Sequence, residues 1–208
     1  MPGGSQILDY AFLKALVKKY CCKSYLEIGT YIGESINIMK SECERLYSIT
    51  EPISDTMSME MMLKELNLPN YSERLAYDAK ITHFYANSQS FDYTNIQDEI
   101  DIFFIDGDHR YEAVYSDTKN IFDYKKEKAI VVWHDFRNTS FQYRGDVICA
   151  VRDALGERFK NVYVTDRNLC GFYLPDEYIR DFELHELRYE KDGELYTYDV
   201  VLESIGKR

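Results

Sequence analysis

Two runs of consecutive apolar residues, Ile102-Phe103-Phe104-Ile105 and Ile130-Val131-Val132-Trp133, constrain this chain more than any other feature. Successive side chains of an extended strand point to opposite faces, so such runs belong to strands covered on both sides, in the middle of a parallel sheet. Around them, short apolar runs alternate with longer amphipathic stretches, the pattern of βα units. Strands are expected at Ser24 to Ile28, Arg45 to Thr50, Ile81 to Tyr85, Asp101 to Ile105, Ala129 to His134, Asn161 to Thr165 and Gly171 to Leu174. Helices are expected at Glu34 to Cys43, Ser58 to Leu66, Tyr111 to Tyr124 and Val147 to Phe159, the last with Val147, Ala150, Val151, Ala154 and Leu155 on one stripe. The fold class is therefore α/β, a seven-stranded mostly parallel sheet flanked by helices. From Glu183 onward, two alternating segments about Lys191-Asp192-Gly193-Glu194 predict a C-terminal β-hairpin, because Asp-Gly supplies the positive φ values of a tight turn. The hairpin fits equally as an extension of the sheet within the chain or across a homodimer. One domain is expected, with its main body over 1–182 and the hairpin tail over 183–208.

Composition narrows the function classes. At 45% apolar and 29% charged, the 208 residues match a single globular domain. Ten glycines and four prolines are too few for a low-complexity chain, and no stretch approaches the apolar length of a bilayer span. A net charge of −11 repels polyphosphate, so neither nucleic acid nor membrane is an expected partner. The opening residues lack the basic flank and apolar core of a signal peptide. The five cysteines, Cys21, Cys22, Cys43, Cys149 and Cys170, form no C-x-x-C pair and read as reduced thiols, so the expected location is the cytoplasm.

Four segments carry chemistry. In Tyr25-Leu26-Glu27-Ile28-Gly29-Thr30-Tyr31-Ile32-Gly33-Glu34-Ser35 an apolar strand runs into a glycine turn and a helix start, where a ligand meets bare backbone and free N–H groups. The spacing G-x-x-x-G differs from the G-x-G-x-x-G of nicotinamide-binding domains, and Glu27 at the strand tip repels a diphosphate but suits a cationic amine. Glu51, at the end of the second strand, stands where an acid accepts the two hydroxyls of a ribose. In Phe104-Ile105-Asp106-Gly107-Asp108-His109-Arg110 two carboxylates leave a strand end on one face, which calls for a cation between them or a retained proton. The bland alternative makes Asp108 the cap of the next helix. His134 and Asp135 end the neighbouring strand; both reach one site with Asp106 only if the chain turns there, and that turn is expected.

Taken in order, E-I-G-T-Y-I-G-E-S, A-N-S-Q, F-I-D-G-D-H-R-Y-E and V-V-W-H-D-F resemble the class I S-adenosylmethionine-dependent methyltransferases. Within them the chain resembles a metal-dependent O-methyltransferase group that includes catechol, caffeoyl-CoA, macrolide and aminocoumarin sugar O-methyltransferases. The resemblance spans about residues 20 to 175. It implies a Rossmann-like fold, S-adenosylmethionine as cofactor, Mg²⁺ or another divalent ion, and a small hydroxylated acceptor of sugar or catechol type. It implies that Glu27 holds the methionine ammonium, that Gly29, Tyr31, Gly33 and Ser35 line the methionine end, and that Glu51 takes the ribose. Ser88 and Gln89 fall where the family contacts adenine. Asp106, His134 and Asp135 match its metal-ligand positions, Asp106 also bordering the cofactor. Many relatives carry a second acid or an Asp-Asn pair where this chain has His134-Asp135, which leaves the ion open. The base is Asp108 by analogy with the sugar-modifying relatives, the favoured choice, or His109 by the position of the catechol-type lysine. Two other readings stay open: an oxidoreductase or hydroxylase-type relative, and a non-catalytic adenosylmethionine-binding module.

Overall fold

The computed structural model describes residues 5–30, 33–51, 80–165, 167–180, 183–186 and 198–201. Its strands are β1 (Ser24–Ile28), β2 (Arg45–Thr50), β3 (Ile81–Tyr85), β4 (Ile102–Ile105), β5 (Ile130–Trp133), β6 (Val162–Thr165), β7 (Gly171–Tyr173), β8 (Glu183–Glu186) and β9 (Tyr198–Val201). They form one sheet in the order β3-β2-β1-β4-β5-β7-β6-β9-β8. β1 to β5 run parallel, and β7 is antiparallel to both β5 and β6. The helices are α1 (Ile7–Lys19), α2 (Glu34–Met39), α3 (Tyr111–Tyr124), α4 (Gly145–Leu155) and α5 (Asp176–Ile179). Strand order reverses between β1 and β4, and a crevice at such a reversal is where α/β sheets bind ligands.

The consecutive apolar runs work as their spacing demands. Ile102, Phe104, Ile130 and Val132 face the layer of α1 and α2, packing with Leu13, Leu16, Ile36 and Met39. Phe103, Ile105, Val131 and Trp133 face the layer of α3 and α4, packing with Val114, Ile121, Val147 and Val151. Burying side chains of this size contributes about 1.5–3 kcal/mol each, so β4 and β5 anchor the sheet and give their carboxyl ends a rigid base. The indole N–H of buried Trp133 donates to Thr118 Oγ1 at 2.8 Å, leaving no polar group stranded there.

Several boundaries shift for visible reasons. β4 begins at Ile102 because the Asp101 carboxylate accepts the backbone N–H groups of Lys23 (2.7 Å) and Ser24 (3.0 Å), clamping the start of β1. α2 stops at Met39 rather than Cys43, and α4 gives way at Gly156 to a 3-10 turn through Asn161. The tail strand β9 pairs in parallel with β6 of its own chain and antiparallel with β8, so the tail extends the sheet at the β6 edge. Among the described residues the sheet thus has nine strands, the seven expected plus two from the tail. The expected helix at Ser58 to Leu66 and the hairpin turn at Lys191 to Glu194 lie outside the described residues. No helix among the described residues is long and apolar enough to cross a membrane.

Candidate active site

The turn after β1 is built around Gly29, whose φ is +83°. A Cβ there would lie 2.3 Å from the carbonyl oxygen of Asp106, so the β1 and β4 turns approach to backbone contact and only glycine fits. The Gly29 N–H donates to Ile49 O at 3.0 Å, drawing the end of β2 into the same rim. Gly33, with φ 77°, precedes α2, and Ser35 on its first turn is buried. Glu27 is 0% exposed. Tyr25 Oη donates to its Oε2 at 2.6 Å, and its Oε1 has no hydrogen-bond partner among the described residues. Burial without a counter-charge pushes this carboxyl up to about 8, although the Ser35 and Tyr25 hydroxyls pull the other way.

A cavity of ≈ 330 Å³ opens over the carboxyl ends of β1, β2 and β4. Its wall includes Gly29, Glu51, Ser88, Gln89, Asp106 and Asp108. Glu51 is exposed and accepts from Asn87 Nδ2 at 3.5 Å. Asn87 also accepts the Gln89 N–H at 2.9 Å, which shapes the short turn carrying Ser88 and Gln89. The carboxyl of Asp117, reaching in from α3, completes the wall; the residue is 1% exposed, and its Oδ1 has no hydrogen-bond partner among the described residues.

Beside this cavity, Asp106, His134 and Asp135 converge. Asp135 has φ 59°, the left-handed turn needed to bring residues that would otherwise diverge onto one site. Phe136, immediately after it, packs its ring where a Cβ on Gly171 would lie 2.3 Å away, so the absence of a side chain on β7 makes room for that turn. His134 Nδ1 lies 3.2 Å from Asp106 Oδ1 and 3.5 Å from Asp135 Oδ2, aligned for a hydrogen bond with neither. One donor atom from each of the three residues falls within 4.8 Å of the others. The His134 side chain is fully buried, and Nε2 lies 3.3 Å from Asp9 Oδ2. Burial alone would lower its pKa, but Asp106, Asp135 and Asp9 outweigh burial and push it up to about 12. Asp135 also contacts His109 Nε2 at 2.9 Å and Arg144 at 3.5 Å. Burial works against its ionised form, yet His109 and His134 hold its pKa well below the usual carboxylate range.

Asp106 and Asp108, expected to face each other across a cation or a retained proton, turn to different partners. Asp106 accepts from Ser5 Oγ at 3.0 Å and faces His134. Asp108 turns to Arg110, accepting its backbone N–H at 3.0 Å and its Nε–H at 2.7 Å, with a further ion pair to the guanidinium. Arg110 thereby holds the Asp108 pKa below the ordinary value. Arg110, not Asp108, stands at the cap position of α3. His109 is the member of this stretch that joins the cluster.

The structure therefore brings Gly29, Glu51, Ser88, Gln89, Asp106 and Asp108 to one cavity, with Glu27 and Ser35 behind the β1 turn. It gathers Asp106, His109, His134 and Asp135 at the adjoining cluster. Tyr31 lies outside the described residues. Sequence reasoning missed Asp9, Ser5, Arg144 and Asp117. Asp117 carried a legible signal, an acid on the same helical stripe as the buried Val114, Thr118 and Ile121. Asp9 carried a capping pattern with Gln6, whose N–H it accepts at 2.6 Å, but nothing in it pointed to a residue 125 positions away.

The sheet order, the crevice at the β1/β4 reversal and the glycine turn after an acid-tipped β1 define a class I, Rossmann-like methyltransferase fold. Residues 26–136, just over half of the chain, match the family model described as methyltransferase domain, and the chain belongs to that family. Comparison with curated proteins finds no match. Among solved structures the chain is similar to CalS11, a TDP-rhamnose 3'-O-methyltransferase of calicheamicin biosynthesis. Identity is 14%, coverage 81% of this chain and 79% of that one, and the TM-score 0.58. It is also similar to the Podospora anserina methyltransferase PaMTH1 bound to S-adenosylhomocysteine, at 12% identity, 82% and 79% coverage and TM-score 0.56. A Bacillus cereus O-methyltransferase in complex with S-adenosylhomocysteine matches at 15% identity, 83% and 81% coverage and TM-score 0.53. At these identities the likeness is one of fold. The protein is an S-adenosylmethionine-dependent methyltransferase by family.

Proposed function

We propose that this methyltransferase transfers the methyl group of S-adenosylmethionine to a hydroxyl oxygen of a small molecule, with a divalent cation held by Asp106, His134 and Asp135. One observation carries the reading: Asp106 belongs at once to the cofactor cavity and to the carboxylate–imidazole cluster. A cofactor in the cavity and an acceptor at the cluster would therefore meet across a single side chain.

The residues fit both groups. The buried Glu27 has an unpartnered oxygen and lacks a counter-charge, which a methionine ammonium supplies. Glu51 offers a carboxylate to the ribose hydroxyls, and the Ser88–Gln89 turn borders the adenine end. Three donor atoms converge at the cluster, and Asp9 at Nε2 fixes the ring of His134 so that Nδ1 faces Asp106 and Asp135, the arrangement second-shell carboxylates give to a ligating histidine. An imidazole in the set favours Mn²⁺ or Zn²⁺ over Mg²⁺. When bound, the ion lowers the pKa of a hydroxyl and fixes its oxygen. The cofactor brings the reactive methyl, so the chain's own work is positioning, charge and one proton transfer.

His109 is better placed than Asp108 to take that proton. His109 Nε2 lies 2.9 Å from Asp135 Oδ2, which orients the ring, and in the tautomer that donates Nε2–H there Nδ1 is the proton acceptor. Asp108 is engaged by Arg110 and depressed in basicity. The test is a methyl-transfer assay over sugars and catechols with the His109→Ala and Asp108→Ala variants, with and without chelator. Loss of about a hundredfold or more in turnover for His109→Ala, a smaller loss for Asp108→Ala and arrest by chelator support the reading. Full activity in chelator removes the metal, and an intact His109→Ala rate removes the base.

A further inference from the structure

Asp117 is a buried acid with an unanswered oxygen. It sits in the middle of α3, on the stripe that packs against the sheet, and its carboxyl reaches the cavity wall between Gly107 and Ser88. A Cβ built on Gly107 would lie 3.9 Å from Asp117 Oδ2, so the carboxyl passes beside the β4 turn at van der Waals distance. Other polar groups near this end of the cavity are answered by protein. Gln89 O accepts from Asn120 Nδ2 at 3.0 Å, Asn87 Oδ1 accepts the Gln89 N–H, and Asp108 is paired with Arg110. Oδ1 of Asp117 alone among them is buried without a hydrogen bond. The Ser88 hydroxyl serves the same carboxyl but leaves Oδ1 unanswered, and since a carboxylate offers only acceptors, the partner missing at Oδ1 is an N–H or O–H donor arriving from the cavity.

We infer that Asp117 is a specificity residue for the nucleobase: its Oδ1 accepts a hydrogen from the exocyclic 6-amino group of adenine. The inference rests on the reading that S-adenosylmethionine fills this cavity with its base at the Ser88–Gln89 turn. At that end the 6-amino group is the base's exocyclic N–H donor, and a 6-oxo purine would set a carbonyl against a buried carboxylate. Sites that hydrogen-bond a ligand group discriminate strongly against analogues lacking it, because the protein partner is then left buried and unpaired. A merely structural role, tying α3 to the Ser88 turn, would leave the choice between amino and oxo purines untouched.

The experiment is calorimetric titration of the full chain with S-adenosylhomocysteine and with S-inosylhomocysteine, for wild type, Asp117→Asn and Asp117→Ala. The wild type is expected to bind the adenine compound tighter by on the order of tenfold or more. Asp117→Asn can donate to a 6-oxo group, so the ratio should fall toward one or invert; in Asp117→Ala it should collapse by loss of adenine affinity. Wild-type binding of both compounds within about twofold overturns the inference while leaving the cofactor reading standing, and so does a wild-type ratio kept by either variant. Binding of neither compound by wild type overturns the cofactor reading and this inference with it.

Discussion

Glu27 and Asp117 on the cofactor side, and Asp106, Asp135 and Asp9 on the cluster side, are carboxyls withdrawn wholly or partly from water a short distance apart, yet their electrical situations are opposite. On the side of the proposed cofactor cavity no cation among the described residues pairs with Glu27 or Asp117, and burial pushes Glu27 up to about 8 and Asp117 to about 6. At the cluster, His134, His109 and Arg144 face Asp106 and Asp135, and Asp9 receives N–H groups from Gln6 and Leu169 besides its contact with His134. An acid that the fold leaves uncompensated stores a demand for a partner, and ligand binding can meet it. Asp9, compensated inside the fold by Gln6, Leu169 and His134, is already part of the scaffold and responds first to mutation.

The largest expected effect breaks the scaffold side. Asp9 has no exposed side-chain surface and joins α1 to both β5 and the start of β7 through His134, Leu169 and Cys170. Replacing one partner of a buried ion pair costs about 3–5 kcal/mol. In a chain of this size each kcal/mol moves the melting temperature by about 2–4 °C, so Asp9→Ala should lower Tm by on the order of 10 °C. A thermal melt within about 2 °C of wild type would show that the cluster is not held from α1.

Next comes the uncompensated side. Glu27→Gln keeps the shape and removes the charge, so the affinity for S-adenosylmethionine should drop by roughly 30- to 1000-fold, the cost of deleting one partner of a buried charge pair. The fold should tolerate the change, since among the described residues the acid has no cation to lose. Calorimetry and a melting curve on the same sample separate these effects; unchanged affinity would move the ammonium site elsewhere.

The same carboxyl gives a pH signature. The folded protein holds the Glu27 proton up to about pH 8, while the unfolded chain releases it near 4.5. The contribution of this group to stability is therefore full below about pH 4.5 and is lost as pH rises toward 8. Glu27→Gln should flatten that fall in Tm. A bound ammonium favours the ionised form, so binding at pH 7 should release close to one proton and binding well above pH 8 none. Binding enthalpies in buffers of different ionisation enthalpy read that number, and zero protons at pH 7 would contradict the uncompensated state of Glu27.

The smallest effect belongs to Glu51, exposed at the cavity rim and joined to Asn87 by a long hydrogen bond. Glu51→Ala should weaken S-adenosylmethionine binding by about tenfold, the worth of a charge-assisted hydrogen bond made in water, and leave Tm within about 2 °C. A loss as large as that of Glu27→Gln would erase the distinction between buried and exposed acids on this side.

How much was legible in the sequence follows the same division. β1 and β2 were readable residue for residue, and β4 and β5 to within one residue at an end, because period and apolar content are local properties of a strand. The acids at the strand ends could be located, and Gly29 placed in the tight turn after β1, because chain order alone puts such residues at the carboxyl edge of a parallel sheet. The partition of charge could not be read. Asp106 and Asp108 are two positions apart and looked like one pair, but Ser5 and His134 take one and Arg110 the other.

The order of apolar and polar residues along the chain determined that this is an α/β fold and which strand ends carry acids, because burial on two faces leaves a local imprint on the sequence; the resemblance to methyltransferases lay in four short motifs in order. Which of those acids are neutralised was decided only when α1, α3 and the segment around Arg144 folded against the sheet. Asp9, Ser5, Arg144 and Asp117 reach the site from separate elements, and Coulomb and desolvation energies depend on distance in space and on exclusion of water, neither of which is written in sequence separation.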